Sequence, residues 1–314
     1  MKSKLLLLAI LATFFVSCQK ASIDEGGSTP VGKLYPVGFN VWEFRDTASV
    51  VTNSVSTKSI NALKDQIDYL QYYVFKKETS GNYVLVKQQI QKSTDVNFGT
   101  ITDSLPANHY YVYFVGCQAP GHMEMKTKAT GVALPIFYYN DNVIYDTFYA
   151  AAEIDLNGTL TKTILLSRVV AKVQVKLDDI LPQEATAFRM SFTDYPLGLD
   201  MTTGIGELRA QSETALRSTK IFQLLLSSAD KVSSGLTYSA LVWAYDYPSI
   251  TIGCINAKSV VLASKVLPKN RFGLYIRLEN NMQYNYSGAL FGTQSFGIST
   301  NAWSPEINAR ANIK

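Results

Sequence analysis

Hydrophobic and polar positions alternate with a period of two along much of the chain, which is the pattern of β-strands with one buried face. The clearest example lies in TILLSRVVAKVQVKLDD. There, Val173, Val175 and Leu177 share one face, and Gln174 and Lys176 share the other. The spacing predicts a half-buried strand over these residues.

The segment LYPVGFNVWEF predicts the first strand of the fold, because Val37, Phe39 and Val41 occupy a common face. Further short apolar runs follow, such as YYVF, YVLV, HYYVYFVG, FRMSFTDY, YSALVWAYDY and SITIGCIN. Turn residues punctuate them at the spacing typical of a sandwich rather than of alternating strands and helices. Residues 60–70 have helical spacing and run directly into YYVF, which predicts one short helical turn before a strand. The pattern as a whole predicts an all-β protein.

The strand-like segments fall into two successive groups of similar length. A change in composition at residues 157–163, beginning with the turn dipeptide Asn157-Gly158, separates them. We therefore predict an N-terminal sandwich domain over residues 34–158 and a C-terminal sandwich domain over residues 159–314.

The N-terminal residues have the features of an export signal. Lys2 and Lys4 precede Leu5–Val16, a run of uncharged residues that is shorter than the roughly 20 residues a membrane-spanning helix needs. The run leads directly to Cys18, an order that resembles a bacterial lipobox, although Phe15 replaces the usual leucine. We predict a signal peptide over residues 1–17, a lipidated Cys18 and a flexible tether over residues 18–33. Ordinary secretion with an incidental cysteine is the alternative.

Composition supports β-structure and excludes one class of partner. The chain has 19 tyrosines and 15 phenylalanines with only 17% charged residues, and aromatic side chains pack well on pleated sheets. Removal of the signal peptide would take away Lys2 and Lys4, which lowers the formal net charge of +4 by two. Such a balance predicts no nucleic-acid partner.

The remaining cysteines are too few for a disulfide framework. Cys117 and Cys254 each lie in an apolar, strand-like segment, so we predict two buried free thiols. A single disulfide that joins the two halves is the alternative.

No catalytic or metal-binding motif is present. His109 and His122 occur without a zinc-ligand spacing, and Gly204-Ile205-Gly206 lacks the third glycine of a dinucleotide site. No nucleophile elbow occurs, and the acidic residues form no recognised catalytic pair. We predict a protein that is not an enzyme and that has no catalytic residue, no metal and no cofactor. The many tyrosines are expected to pack between strands, although exposed ones could stack on sugars.

Several elements together resemble the fimbrillin superfamily of Bacteroidetes, which comprises stalk, tip and anchor subunits of type V pili. The helix-like lead-in, strand, turn and strand appear as INALKDQIDYLQYYVFKKETSGNYVLV. An F-G element follows at Asn97-Phe98-Gly99, and an LPxGxY-like element runs from Leu105 to Tyr110 with Asn108 in place of glycine. The element that opens the second domain matches at Leu166, Arg168, Val170, Ala171, Lys172, Val173 and Val175.

The resemblance implies two transthyretin-like Greek-key β-sandwich domains with few short helices. It also implies export to the outer membrane as a surface-exposed lipoprotein and assembly with other fimbrial subunits by strand exchange. The expected function is that of a fimbrial subunit or base anchor in cell adhesion, directed at a host or bacterial surface ligand. Whether the chain is a stalk, tip or anchor subunit stays open.

The resemblance further implies a choice between two fates of the first strand. In stalk subunits a protease cuts after an arginine and removes that strand, and Arg45 directly follows the predicted first strand here. Anchor subunits keep the strand and the lipid. The residues Val37, Phe39 and Val41 therefore mark a candidate displaceable strand, and Arg45 marks a candidate maturation site.

The C-terminal region contains the candidate donor strand. It covers residues 291–303, with Phe291, Phe296, Ile298 and Trp303 as its apolar side chains, and Pro305 ends its capacity to form a ladder. The alternative function is that of an outer-membrane carbohydrate-binding surface lipoprotein, which would expose a cluster of aromatic residues on one face.

Overall fold

The computed structural model describes residues 32–44, 63–127, 131–140, 143–196, 198–207, 219–270 and 273–303. The signal peptide, Cys18 and most of the tether lie outside these residues, as does Arg45. Within the described part of the chain, no helix has the length and apolar character needed to cross a membrane.

The described residues form nineteen strands, one short α-helix and one 3₁₀ turn. The strands are β1 Leu34–Phe44, β2 Tyr69–Lys77, β3 Tyr83–Lys92, β4 Thr100–Pro106, β5 Asn108–Cys117, β6 His122–Thr127, β7 Ala133–Tyr138, β8 Thr147–Leu156, β9 Leu160–Arg168, β10 Val170–Leu177, β11 Ala185–Phe192, β12 Leu199–Asp200, β13 Ile205–Gly206, β14 Lys220–Leu225, β15 Thr237–Trp243, β16 Ile250–Asn256, β17 Val261–Val266, β18 Met282–Gly288 and β19 Gly297–Ala302. The helical segments are α1 Leu63–Gln66 and Ala229–Lys231. The predicted all-β class with few short helices is confirmed.

The first group of strands forms a sandwich. One layer has the order β9-β1-β4 and the other β3-β2-β5-β8, and a two-residue ladder between β8 and β9 joins them at one corner. Their inner faces share one hydrophobic cluster, in which the Phe39 ring lies 5.7 Å from the Tyr72 ring and 5.2 Å from the Phe114 ring, measured between centroids. Burial of this cluster holds the two layers together.

The second group also forms a sandwich, with the layers β15-β10-β18-β19 and β14-β11-β16-β17. Val173, Val175 and Leu177 on β10 are fully buried, and every second residue of β11 from Phe188 to Phe192 is buried as well. The alternation predicted for residues 173–177 is confirmed.

The layer β3-β2-β5-β8 is covered on both faces at its centre. Tyr73, Phe75 and Tyr113 point away from the first cluster and join the cluster that contains the core of the second sandwich. A small sheet with the order β13-β12-β7-β6 adds Phe137 and Leu199 to that cluster. Because both faces are buried, β2 has a nearly continuous apolar sequence instead of an alternating one.

The first strand of each sandwich has the same kinds of neighbour. β1 lies between a parallel neighbour, β9, and an antiparallel neighbour, β4. β10 likewise lies between parallel β18 and antiparallel β15. The predicted boundary at residues 158/159 falls before β9, whereas β9 pairs with β1. The division of the chain into two domains stays a prediction.

Candidate strand-exchange site

β1 is an internal strand of its layer. It pairs with β4 from Leu34 to Asn40 and with β9 from Val37 to Phe44, with an irregularity in register between Val41 and Glu43. Loss of β1 would leave both neighbours with unpaired backbone groups facing each other.

The side chains of β1 fill the core of the first sandwich. Val37, Phe39 and Val41 are at most 3% exposed, whereas Pro36 on the opposite face is exposed. These are the residues that the sequence marks as the displaceable strand, and all three enter the same cluster. Their role in displacement stays a prediction.

Gly99 of the Asn97-Phe98-Gly99 element lies against the backbone of β1. The Val41 N–H donates to the Gly99 carbonyl at 2.7 Å. Gly99 has φ +90°, and a Cβ placed there would lie 2.8 Å from the Val41 carbonyl oxygen. Both the backbone conformation and the close approach require glycine at this position.

Gln91 fixes the turn that contains Gly99, and the sequence offers no motif that would have identified it. Its side chain is 5% exposed, and its Oε1 accepts from the Gly99 N–H at 3.0 Å. Its Nε2 donates to the Thr100 carbonyl at 2.8 Å and to the Asn97 carbonyl at 3.3 Å. Gln91 therefore determines where β4 begins beside β1.

β19 is the candidate donor strand, and among the strands that the structure describes it lies at the edge of its layer, where it pairs with β18. The candidate residues differ in their surroundings. Phe291 is 40% and Ile298 37% exposed, whereas Phe296 is 5% and Trp303 9% exposed. Phe296 packs on Gly288, where a Cβ would lie 2.9 Å from the phenyl ring. The donor role of these residues stays a prediction.

Arg168 connects the end of β9 to the residue that follows β19. Its Nε and Nη2 donate to the two carboxylate oxygens of Asp146 at 2.7 and 2.9 Å, and its Nη1 donates to Asn281 Oδ1 at 2.9 Å. The guanidinium lies 4.0 Å from the centre of the Trp303 ring and 4.9 Å from that of Phe148. Arg168 and Asp146 are both almost fully buried. Removal of either side chain would therefore leave the other as an uncompensated buried charge.

The other candidate chemistry is structural. Cys117 and Cys254 are free and buried, as predicted, and burial raises the pKa of the Cys117 thiol to about 12. Among the described residues, no cluster of histidine, cysteine and acidic side chains could hold a metal ion. His109 Nδ1 contacts Asp155 at 2.6 Å on the surface, and His122 Nε2 contacts the Asn140 amide at 2.7 Å.

Most tyrosines serve the core. More than half of the 19 are buried, and Tyr247 is exposed by 53%. This agrees with the prediction that packing between strands explains the tyrosine content. The described aromatic residues therefore add no support to the carbohydrate-binding alternative.

Residues 44–215 match the model of the family described as the fimbrillin-A-associated anchor proteins Mfa1 and Mfa2, which covers more than half of the chain. The chain belongs to this family. The resemblance to fimbrillins deduced from the motifs is thereby confirmed. The chain is a fimbrial protein of the cell surface, and its family is one of structural proteins rather than enzymes.

Several solved structures are similar to this anchor-family member. A candidate polysaccharide-binding protein from Bacteroides thetaiotaomicron superposes with a TM-score of 0.52 at 12% identity, covering 86% of this chain and 96% of the other. The fimbrial anchor protein Mfa2 from Porphyromonas gingivalis gives a TM-score of 0.47 at 10% identity, with 86% and 98% covered. The tip fimbrial protein Mfa3 from the same organism gives 0.42 at 12% identity, with 86% and 100% covered. No curated protein sequence matches the chain.

Proposed function

We propose that this protein is the base anchor of a cell-surface fimbria, held in the outer membrane by a lipid on Cys18 and joined to its neighbouring subunit by strand donation. The observation that carries this proposal is the match of residues 44–215 to the anchor family. Adhesion to a host or bacterial surface is the expected outcome of the assembled fimbria.

The N-terminal sequence supports the lipid anchor. Leu5–Val16 is too short to span a bilayer and ends beside Cys18, where a lipid chain would supply the membrane attachment. The polar, glycine-containing residues after Cys18 extend up to the start of β1. In this proposal these residues connect the lipid to the folded part of the chain.

The burial of β1 supports a subunit that keeps its first strand. β1 has a partner strand on each side, and three of its side chains contribute to the core of the first sandwich. Cleavage after Arg45 would remove this strand together with Cys18 and its lipid. A base anchor needs both, so Arg45 stays uncut in this proposal.

The position of β19 supports donation from the C-terminal end. Among the described residues, β19 is an edge strand paired with β18 on one side, so it can leave its sheet without separating any other pair of strands, and its residues 297–301 are exposed. An extended strand of this kind can add to the sheet of a neighbour through main-chain hydrogen bonds, with alternate side chains setting the register. The partner is therefore another fimbrial subunit.

Mass spectrometry of the native N-terminus tests the anchor role. The proposal predicts a single mature form that starts at lipid-modified Cys18, and a Cys18→Ala variant that is exported but no longer retained in the outer membrane. A mature chain that starts at Asp46 would contradict the anchor role and would indicate a polymerising subunit instead. An unmodified Cys18 in the mature chain would contradict the lipid anchor itself.

A further inference from the structure

The loop between β18 and β19 is held by two charged side chains. Lys265 on β17 places its ammonium nitrogen 2.7 Å from the carbonyl oxygen of Ala289, 2.6 Å from that of Gly292 and 2.9 Å from that of Gln294. An ammonium group has three N–H donors, so the three carbonyl oxygens of this loop occupy all the donors of Lys265. Hydrogen bonds from a charged donor are stronger than those between neutral groups.

Asp179, whose charge is opposite to that of Lys265, holds the same loop. Its two carboxylate oxygens accept from the backbone N–H groups of Leu290 and Phe291 at 3.0 and 2.6 Å. We call Lys265 and Asp179 together the loop latch. Both side chains act on backbone atoms of the loop.

The far end of β19 is held by a second set of contacts. The indole of Trp303 lies over the Arg168 guanidinium, and the backbone N–H of Trp303 donates to the Asn281 carbonyl at 2.8 Å. Asn281 in turn accepts from Arg168 through its side chain. We call Arg168, Asn281 and Trp303 the terminal latch.

Between the two latches, β19 has few side-chain attachments. Residues 297–301 are exposed, and their regular bonds are those of the ladder with β18. One side-chain contact, from the Asn285 amide to Asn301 at 2.8 Å, spans the two strands. The side-chain contacts that hold β19 against β18 are therefore concentrated at the two ends of the strand.

We propose that β19 is a releasable strand whose docking on β18 is controlled by the loop latch and the terminal latch. Opening both latches leaves the ladder as the main restraint on an exposed edge strand, and release then makes β18 the new edge. The inference rests on the proposed donation of β19, because a donated strand must first leave its own sheet. The residues of the two latches determine how readily β19 leaves its sheet.

Hydrogen exchange of the purified full chain tests the loop latch. Lys265→Met keeps most of the apolar stem and removes the ammonium, and we expect amides in residues 297–302 to exchange about tenfold faster or more. Amides of the β10–β15 ladder should keep their wild-type rates. Lys258→Met is the matched control, since it removes the same charge from an exposed position at the turn before β17, and it should leave β19 unchanged.

A second variant tests whether the two latches act together. Trp303→Leu keeps an apolar side chain but removes the ring over Arg168, and it should also speed exchange in β19. The fold-changes of Lys265→Met and Trp303→Leu should multiply in the double variant, because each latch contributes independently to closing. Unchanged β19 rates, an equal increase in every strand, or a double variant no faster than the single ones would each overturn the inference.

The measurement uses the isolated chain, so its outcome is separate from that of the proposed function. The latch variants could leave hydrogen exchange in β19 unchanged while β19 still pairs with a neighbouring subunit in cells. That result would refute the role of the latches and leave strand donation intact. Latches that control exchange in a chain that never meets another subunit would support the inference and count against the proposed function.

Discussion

At the scale of single residues, Gly99 is the position where the first strand and the turn before β4 meet most closely. A Gly99→Ala substitution combines an unfavourable φ with a contact of 2.8 Å to the Val41 carbonyl. Gly81 is a matched control, because its φ is +88° and a Cβ there would meet only Val132 at an ordinary 3.9 Å. We expect Gly81→Ala to lower the free energy of unfolding by about 1–2 kcal/mol.

Gly99→Ala should lower the free energy of unfolding by a further 1–3 kcal/mol or so, the usual effect of forced crowding in a packed interior. Urea unfolding of both variants measures the difference. Equal losses in the two variants would mean that the turn does not press on β1.

Arg168 and Asp146 provide a second prediction at this scale. Asp146→Asn leaves the buried guanidinium without its carboxylate, and we expect the free energy of unfolding to fall by about 3–5 kcal/mol. The pair between Arg277 and Asp246, at 2.8 Å, is about half exposed on both sides. Asp246→Asn should therefore change stability by no more than about 1 kcal/mol. Similar effects in the two variants, measured by urea unfolding, would argue against a structural role for the Arg168 cluster.

At the scale of elements, β1 is an integral part of the first sandwich. Phe39→Ala removes a fully buried ring and should lower the free energy of unfolding by about 3–5 kcal/mol. Leu34→Ala on the same strand is the control, because Leu34 is 51% exposed and its truncation should have an effect within about 0.5 kcal/mol. Denaturant midpoints with unchanged slopes measure both. A small loss for Phe39→Ala would mean that the sandwich is stable without the side chains of β1.

The elements also show how far the amino-acid sequence could predict this fold. Period-two alternation suffices for β10, whose inner and outer faces differ cleanly. It fails for β2, because that strand is covered on both faces and all but its ends are buried. The sheet of β6, β7, β12 and β13 was not predicted, since β12 and β13 have two residues each and carry no periodic pattern.

The candidate site was predictable to a similar degree. The buried face of β1 follows from its alternation, and Arg168 was found through the resemblance to fimbrillins. Asp179 and Lys265 are not predictable from local sequence, because each acts on backbone atoms that are distant in sequence. Gln91 acts on the nearby turn around Gly99, but no local motif encodes that contact. The parallel pairing of β1 with β9 likewise joins segments whose proximity depends on the whole topology.

At the scale of the whole molecule, buried tyrosines should set the alkaline limit of stability. Burial raises the pKa of Tyr72, Tyr113 and Tyr149 well above the ordinary value of 10.0, with burial the largest cause in each case. Above pH 10 the unfolded chain releases these protons while the folded chain retains them. Stability is therefore fully present below about pH 10 and falls as the pH rises further, by about 1.4 kcal/mol per pH unit for each such tyrosine.

Urea midpoints between pH 8 and 12, followed together with tyrosinate absorbance, check this expectation. The absorbance of the buried tyrosines should rise cooperatively with the loss of structure. A smooth titration of all 19 tyrosines near pH 10 in a chain that stays folded would contradict it.

Strand donation requires that β19 pairs with a neighbouring fimbrial subunit, and photo-crosslinking inside cells can detect this pairing. A photoreactive residue in place of Ile298, which is 37% exposed on β19, should yield a covalent adduct with a second fimbrial subunit after irradiation. The same residue in place of Val261, which is 59% exposed on β17, serves as the control and should yield none. An Ile298 position that gives no intermolecular adduct, or no more than Val261 gives, would contradict strand donation from β19.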